Sequence, residues 1–194
     1  WQELYKTVVS CVENRCPVHW EMPTIMKKLK LQILPLLFFA LTGCDPPTID
    51  KDKRDILVKK YDLMKFPNVQ QPVLMTIDEF FDGNNDEASI APNLIEKPKV
   101  SEYYKTFKAL RNSPKVVDAL VQISDVMIYE DGTLHDNEWF YSDMIYIVGD
   151  LTKEEVAEAT RALYPDAVDY DSERGISDLD ERFKDKKVVY VWWD

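Results

Sequence analysis

The sequence predicts an α+β fold: a single small domain with an antiparallel sheet and two helices, in a ferredoxin-like β-α-β-β-α-β order with an extra C-terminal strand. Three observations predict it. Runs rich in β-branched and aromatic residues at 73–81, 117–129, 139–148, 167–170 and 188–193 are interleaved with two segments of helical period. The clusters Asp82-Gly83-Asn84-Asn85 and Glu130-Asp131-Gly132 supply turn chemistry between the runs. The 194 residues, 45% hydrophobic and 12% aromatic, are enough for one core of ordinary size and too few for two.

The elements follow in order. Leu57, Tyr61 and Met64 recur at helical spacing, so a short amphipathic helix is expected at about 52–65, lying against the domain or a bilayer. Pro67 and Pro72 stop it. Val73 to Phe81 is expected as the first strand. Ser101 caps a helix whose Tyr103, Tyr104, Phe107 and Leu110 form one apolar stripe, ended by Asn112-Ser113-Pro114. From Val117 to Tyr129 the alternation shifts phase, which predicts a bulge near Asp125. Trp139 to Val148 is apolar on both faces and suits a central strand. Thr152 with Glu155 makes a reciprocal capping box, and Val156, Ala159, Thr160 and Leu163 supply the buried stripe of the second helix. Ala167 to Tyr170 and Val188 to Trp193 are the last strands, parted by an acidic loop.

Charge is divided unevenly. The whole chain is −11, yet residues 1–44 hold five basic and three acidic side chains, leaving residues 45–194 with 19 basic, 32 acidic and a net −13. With no basic surplus to neutralise phosphates, nucleic acid is not expected as a partner, while a basic protein is electrostatically favoured. Five glycines, none forming a phosphate cradle, give no basis for nucleotide binding.

From Met26 the chain reads MKKLKLQILPLLFFALTGC, a basic start followed by an apolar run too short to span a bilayer, which is the layout of a secretory leader. Its end, Leu41-Thr42-Gly43-Cys44, resembles the lipobox of bacterial lipoproteins. That resemblance implies cleavage before Cys44, lipid attachment to its thiol, and residence on the extracytoplasmic side of the cell membrane. Asp45 implies the periplasmic face of the inner membrane if the host is Gram-negative. The expected organisation is upstream sequence over 1–25, a signal peptide over 26–43, a tether with a short helix over 44–72, and the domain over 73–194. Cys11 and Cys16 fall upstream of the cut, so Cys44 is alone in the mature chain and no disulfide is expected.

His135 is the only histidine beyond the cut, which leaves histidine-dependent nucleophile systems and multi-histidine metal sites without parts. Asp82, Asn84, Asp86 and Glu87 have the alternate spacing of a calcium loop, but Glu87 stands where its glycine belongs and Asn93 where its closing glutamate belongs. No metal or cofactor is expected. Asp78, Glu79, Glu138 and Asp143 are the carboxylates from which an acid-base pair for a hydrolase would have to come. Trp139, Phe140, Tyr141, Trp192 and Trp193 suit either core packing, the reading favoured for large aromatics in strands, or a role as interface anchors. Adjacent strand residues face opposite ways, so Trp192 and Trp193 cannot share a core face.

The stretches Ile77–Asn84 and Trp139–Asp143 resemble small uncharacterised bacterial domains, some of them of the immunity-protein kind, in which acidic surfaces mask basic toxins. The expectation is a membrane-anchored, non-enzymatic protein-binding module, with Trp139, Tyr141, Trp192, Asp82, Asp86 and Glu87 as candidate binding residues. The alternatives are an envelope scaffold lipoprotein and a carboxylate-dependent hydrolase.

Overall fold

The computed structural model describes residues 48–68, 72–171, 176 and 180–194, all within the compact unit Asp45–Asp194. Cys44, the leader at 26–43 and the segment 1–25 lie outside the described residues. The described chain is α+β, with helices packed on a five-stranded antiparallel sheet.

Helix α1, Lys51–Tyr61, starts where Asp50 accepts the Lys53 backbone N–H, and a short 3-10 turn, Leu63–Lys65, completes the helical segment expected at 52–65. Strand β1 is only Leu74–Thr76, and helix α2, Ile77–Phe81, takes the rest of the stretch expected as strand. The cause is a capping box: the Thr76 hydroxyl accepts the Glu79 N–H at 3.3 Å, while the Glu79 carboxylate accepts the Thr76 N–H at 3.1 Å. Helix α3, Val100–Arg111, begins one residue before Ser101. Its free N–H groups go to carboxylates, Lys99 to Glu102 at 3.1 Å and Val100 to Glu87 at 2.8 Å.

Strand β2, Val116–Gln122, pairs with β1, and its bulge lies between Val116 and Asp118, not near Asp125. Val117 is the half-exposed extra residue, and Asp118 is turned inward toward Arg111 at 3.4 Å and Arg182 at 3.7 Å. The expected strand thus stops at Gln122, and Asp125 keeps only an isolated bridge to Tyr141. Strand β3, Met144–Gly149, is buried at every position, as its two-faced apolarity predicts; Trp139 to Asp143 precede it in irregular backbone. Helix α4, Lys153–Thr160, carries the expected Thr152–Glu155 capping box. Strands β4, Ala167–Tyr170, and β5, Lys187–Trp192, complete the sheet.

The strand order is β1-β2-β3-β5-β4 with every neighbouring pair antiparallel. The chain order of strands and major helices is the predicted one. The pairing differs from a split β-α-β unit because β1 and β2 lie side by side, joined by the segment that holds α2 and α3. On one sheet face Met75, Val121, Ile145 and Val191 form a register row against Tyr103 and Phe107 of α3 and Val156 of α4. On the other, Leu120, Tyr146 and Val188 pack with Ile176 and Phe183. Trp193 is fully buried in the first cluster and Trp192 is half-buried against the second, the opposed orientation expected of neighbours.

Candidate functional site

Two irregular segments, 82–91 and 123–143, meet at the edge of the first core. Ser142 donates its N–H to the Ser89 carbonyl at 2.8 Å, and Ala91 donates to the Ser142 carbonyl at 2.9 Å. Tyr141 and Asp125 are joined in the same way, Tyr141 N–H to Asp125 carbonyl at 2.9 Å. Segment 123–143 thus pairs part of its backbone with itself, through the Asp125–Tyr141 and Ile128–Leu134 bridges, while the bonds of Ser89 and Ala91 to Ser142 tie segment 82–91 to it.

The residues singled out for a calcium-like loop spend their oxygens on this junction. Asn84, buried, accepts the Asp86 N–H at 3.0 Å and donates to Ser89 Oγ at 2.8 Å. Asp86 accepts the Ala88 N–H at 2.9 Å and the Trp139 N–H at 3.0 Å. Glu87 caps α3, and Asp82 pairs with Lys53 at 2.7 Å. Among the described residues no group of three or more His, Cys, Asp or Glu is placed to hold a metal ion. Of the six candidate binding residues, the junction brings Asp86, Trp139 and Tyr141 together and leaves Asp82 and Glu87 on its flank. Trp192 lies elsewhere, on the second sheet face. Trp139 is 1% exposed and packs against Phe140, so its indole serves the core.

What the junction presents outward is aromatic and acidic. The His135 ring stacks on Tyr129 with centroids 3.8 Å apart, and its Nδ1 is 3.0 Å from a Glu138 carboxylate oxygen. Burial, reinforced by Glu138, Asp86 and Asp125, pushes the Tyr141 phenol up to about 12, so it stays a neutral donor at physiological pH. Met127 and Tyr129 are exposed. Beneath them the buried Arg54 of α1 donates to the carbonyls of His135 at 2.6 Å and Glu138 at 3.1 Å, which pins both ends of the 135–138 turn. Sequence patterning does not single out Tyr129, His135 or Arg54 as parts of this face. A signal was present: between Lys115 and Lys153 the chain contains eight acidic residues and no lysine or arginine.

The carboxylates considered for acid-base chemistry do not form a set. Asp78 accepts from the Tyr104 hydroxyl at 2.7 Å and from Arg111, which together hold it below the usual carboxylate range. Burial alone would raise Glu79, but donors from Lys60, Tyr61 and Thr76 outweigh it and also hold it low. Glu138 belongs to the junction, and Asp143 leads into β3 with its carbonyl accepting the Trp193 N–H at 3.0 Å.

Residues 52–189 match the family model described as the Uncharacterized protein YfbO family. Over 90 residues the chain is 29% identical to the uncharacterized protein YfbO of Escherichia coli (strain K12), an overlap of 46% of this chain and 58% of that protein. The match therefore spans little more than half of that relative's length. No solved structure matches the chain.

Proposed function

The chain belongs to the YfbO family, and from that premise we propose that it is a non-enzymatic protein-binding module, held at the extracytoplasmic membrane surface by a lipid on Cys44, that engages a basic protein. The observation that carries the binding role is the face built by 123–143: exposed Met127 and Tyr129, the Tyr129–His135 stack and a Tyr141 flanked by Glu138, Asp86 and Asp125. Aromatic and methionine side chains supply contact area at low entropic cost, and an unbalanced acidic surround attracts and orients a cationic partner. The Arg54 prop and the backbone bonds to segment 82–91 hold that face in one shape before it meets a partner. Asp78 and Glu79 are held low by their donors, so neither suits the general acid of a hydrolase.

Support for the anchor is the lipobox-like Leu41-Thr42-Gly43-Cys44 behind a basic and apolar leader. Diacylation of one thiol gives stable attachment where a single chain would not.

The test places a photoreactive residue at Met127 or Tyr129 in living cells, with Ile95, fully exposed and outside the face, as control. The expected result is a covalent adduct with one basic protein from the first two positions and not the third, diminished by Glu130→Lys with Asp131→Lys. Equal adducts from all three positions, or indifference to the charge reversal, would contradict the assignment.

A further inference from the structure

We propose that α1 and the turn after it form a second surface, one that lies on anionic phospholipid headgroups and turns the acidic body of the domain away from the bilayer. The proposal rests on the Cys44 anchor for its location. Residues 51–65 contain six basic and three acidic side chains, net +3, whereas residues 66–194 are net −14. A body so divided is oriented by a negatively charged surface with its basic end inward.

The fold fixes which side of this segment is available. Arg54, Leu57, Val58 and Leu63 are buried against the domain, which leaves Lys59, Lys60 and Lys65 exposed together with Ile56 at 64% and Met64 at 42%. Lysines beside exposed apolar side chains suit an interface: the ammonium groups reach phosphate while the apolar groups enter the headgroup layer. Lys65 pairs with Asp62 in the open, where such a pair is a weak competitor for a phosphate-dense surface, whereas Lys60 is half exposed but tied to the partly covered Glu79, which leaves Lys59 and Lys65 as the freer cations. Asp52 and Asp55 share the exposed face, one turn before Ile56 and Lys59 respectively, so the contact is carried by the end of the segment that holds Lys59, Met64 and Lys65.

Chain length makes the surface reachable. Lys51 is the seventh residue after Cys44, a reach of at most about 25 Å when extended. A lipid on that thiol would hold the lysines at high effective concentration near the headgroups, so individually weak contacts suffice.

The experiment reconstitutes the full native protein into phosphatidylcholine vesicles with or without about one third phosphatidylglycerol. Lysine acylation is read residue by residue by mass spectrometry, with Lys105 on α3 as the exposed reference, and the intact mass reports the lipid separately. The expected result is several-fold slower labelling of Lys59, Lys60 and Lys65 in the anionic vesicles only, restored to the neutral-vesicle rate by Ile56→Asp with Met64→Asp. Equal labelling in both vesicle types, in protein whose mass shows the lipid, overturns the docking surface and leaves the anchor standing. Selective protection in protein whose mass shows no lipid overturns the anchor and supports the surface.

Discussion

Asp86 and Trp139 are 53 positions apart in the chain, and a carboxylate oxygen of the first accepts the backbone N–H of the second at 3.0 Å. The other oxygen of Asp86 accepts the Ala88 N–H, so one side chain fixes both its own loop and the entry to the acidic-aromatic face. Asp86→Ala strands both donors. The expected cost is about 1–3 kcal/mol in urea unfolding, with amide exchange accelerated across 86–91 and 135–142. A loss shared evenly by all core amides, without that local signature, would show that the two loops are not joined through this residue.

The two terminal tryptophans provide a paired test of the sheet's two faces. Trp193 donates its indole N–H to the Leu163 carbonyl at 2.9 Å and meets Tyr103 and Phe107 edge-on. Trp193→Ala is expected to cost about 3–5 kcal/mol. Trp192→Ala, at a half-buried position on the opposite face, is expected to cost less than about 2 kcal/mol. Thermal or denaturant unfolding of both variants checks the ordering; comparable losses would contradict the face assignment.

Gly149 marks a close approach of two strands. A Cβ added there would lie 2.2 Å from the Lys115 carbonyl oxygen and 2.8 Å from Val116 Cα, both backbone atoms that cannot swing aside. Gly149→Ala is expected to cost about 3 kcal/mol, at the upper end for overpacking, measured by the denaturant midpoint. A near-neutral variant would mean that β2 and β3 do not meet as closely as described.

Asp78 and Glu79 give the domain a defined acid response. Both are held below their ordinary values of 3.8 and 4.5 in the folded protein. A group with a depressed folded pKa contributes stability that is complete above its unfolded pKa and is lost as pH falls through the folded one. Stability should therefore begin to fall below about pH 4.5. Asp78→Asn should be less stable than the parent at neutral pH and converge with it in acid. A constant difference between the two proteins from neutral to acid pH would rule out this linkage.

Sequence patterning revealed the elements that depend on local or two-faced apolarity. The Thr152–Glu155 box is satisfied within one turn, and β3 is apolar on both faces because a hydrophobic cluster covers the sheet on each side. The Thr76–Glu79 box has the same local spacing, yet it was submerged in a β-branched run, and the residues read as strand fold as α2 instead. The bulge was misplaced because what positions Asp118 is its approach to Arg111 and Arg182, the latter 64 residues away in sequence. The candidate face was only half legible. Its acidity is written in composition, but the Arg54 prop and the Tyr129–His135 stack join residues whose proximity no spacing rule encodes.

Membrane attachment through Cys44 is the claim on which the location of both surfaces depends. It is tested most directly by the intact mass of the protein purified from the membranes of its native host. The predicted mass is that of a chain beginning at Cys44 and carrying a diacylglyceryl group. A mass for a chain that continues upstream of Cys44 and bears no fatty acyl group would contradict it.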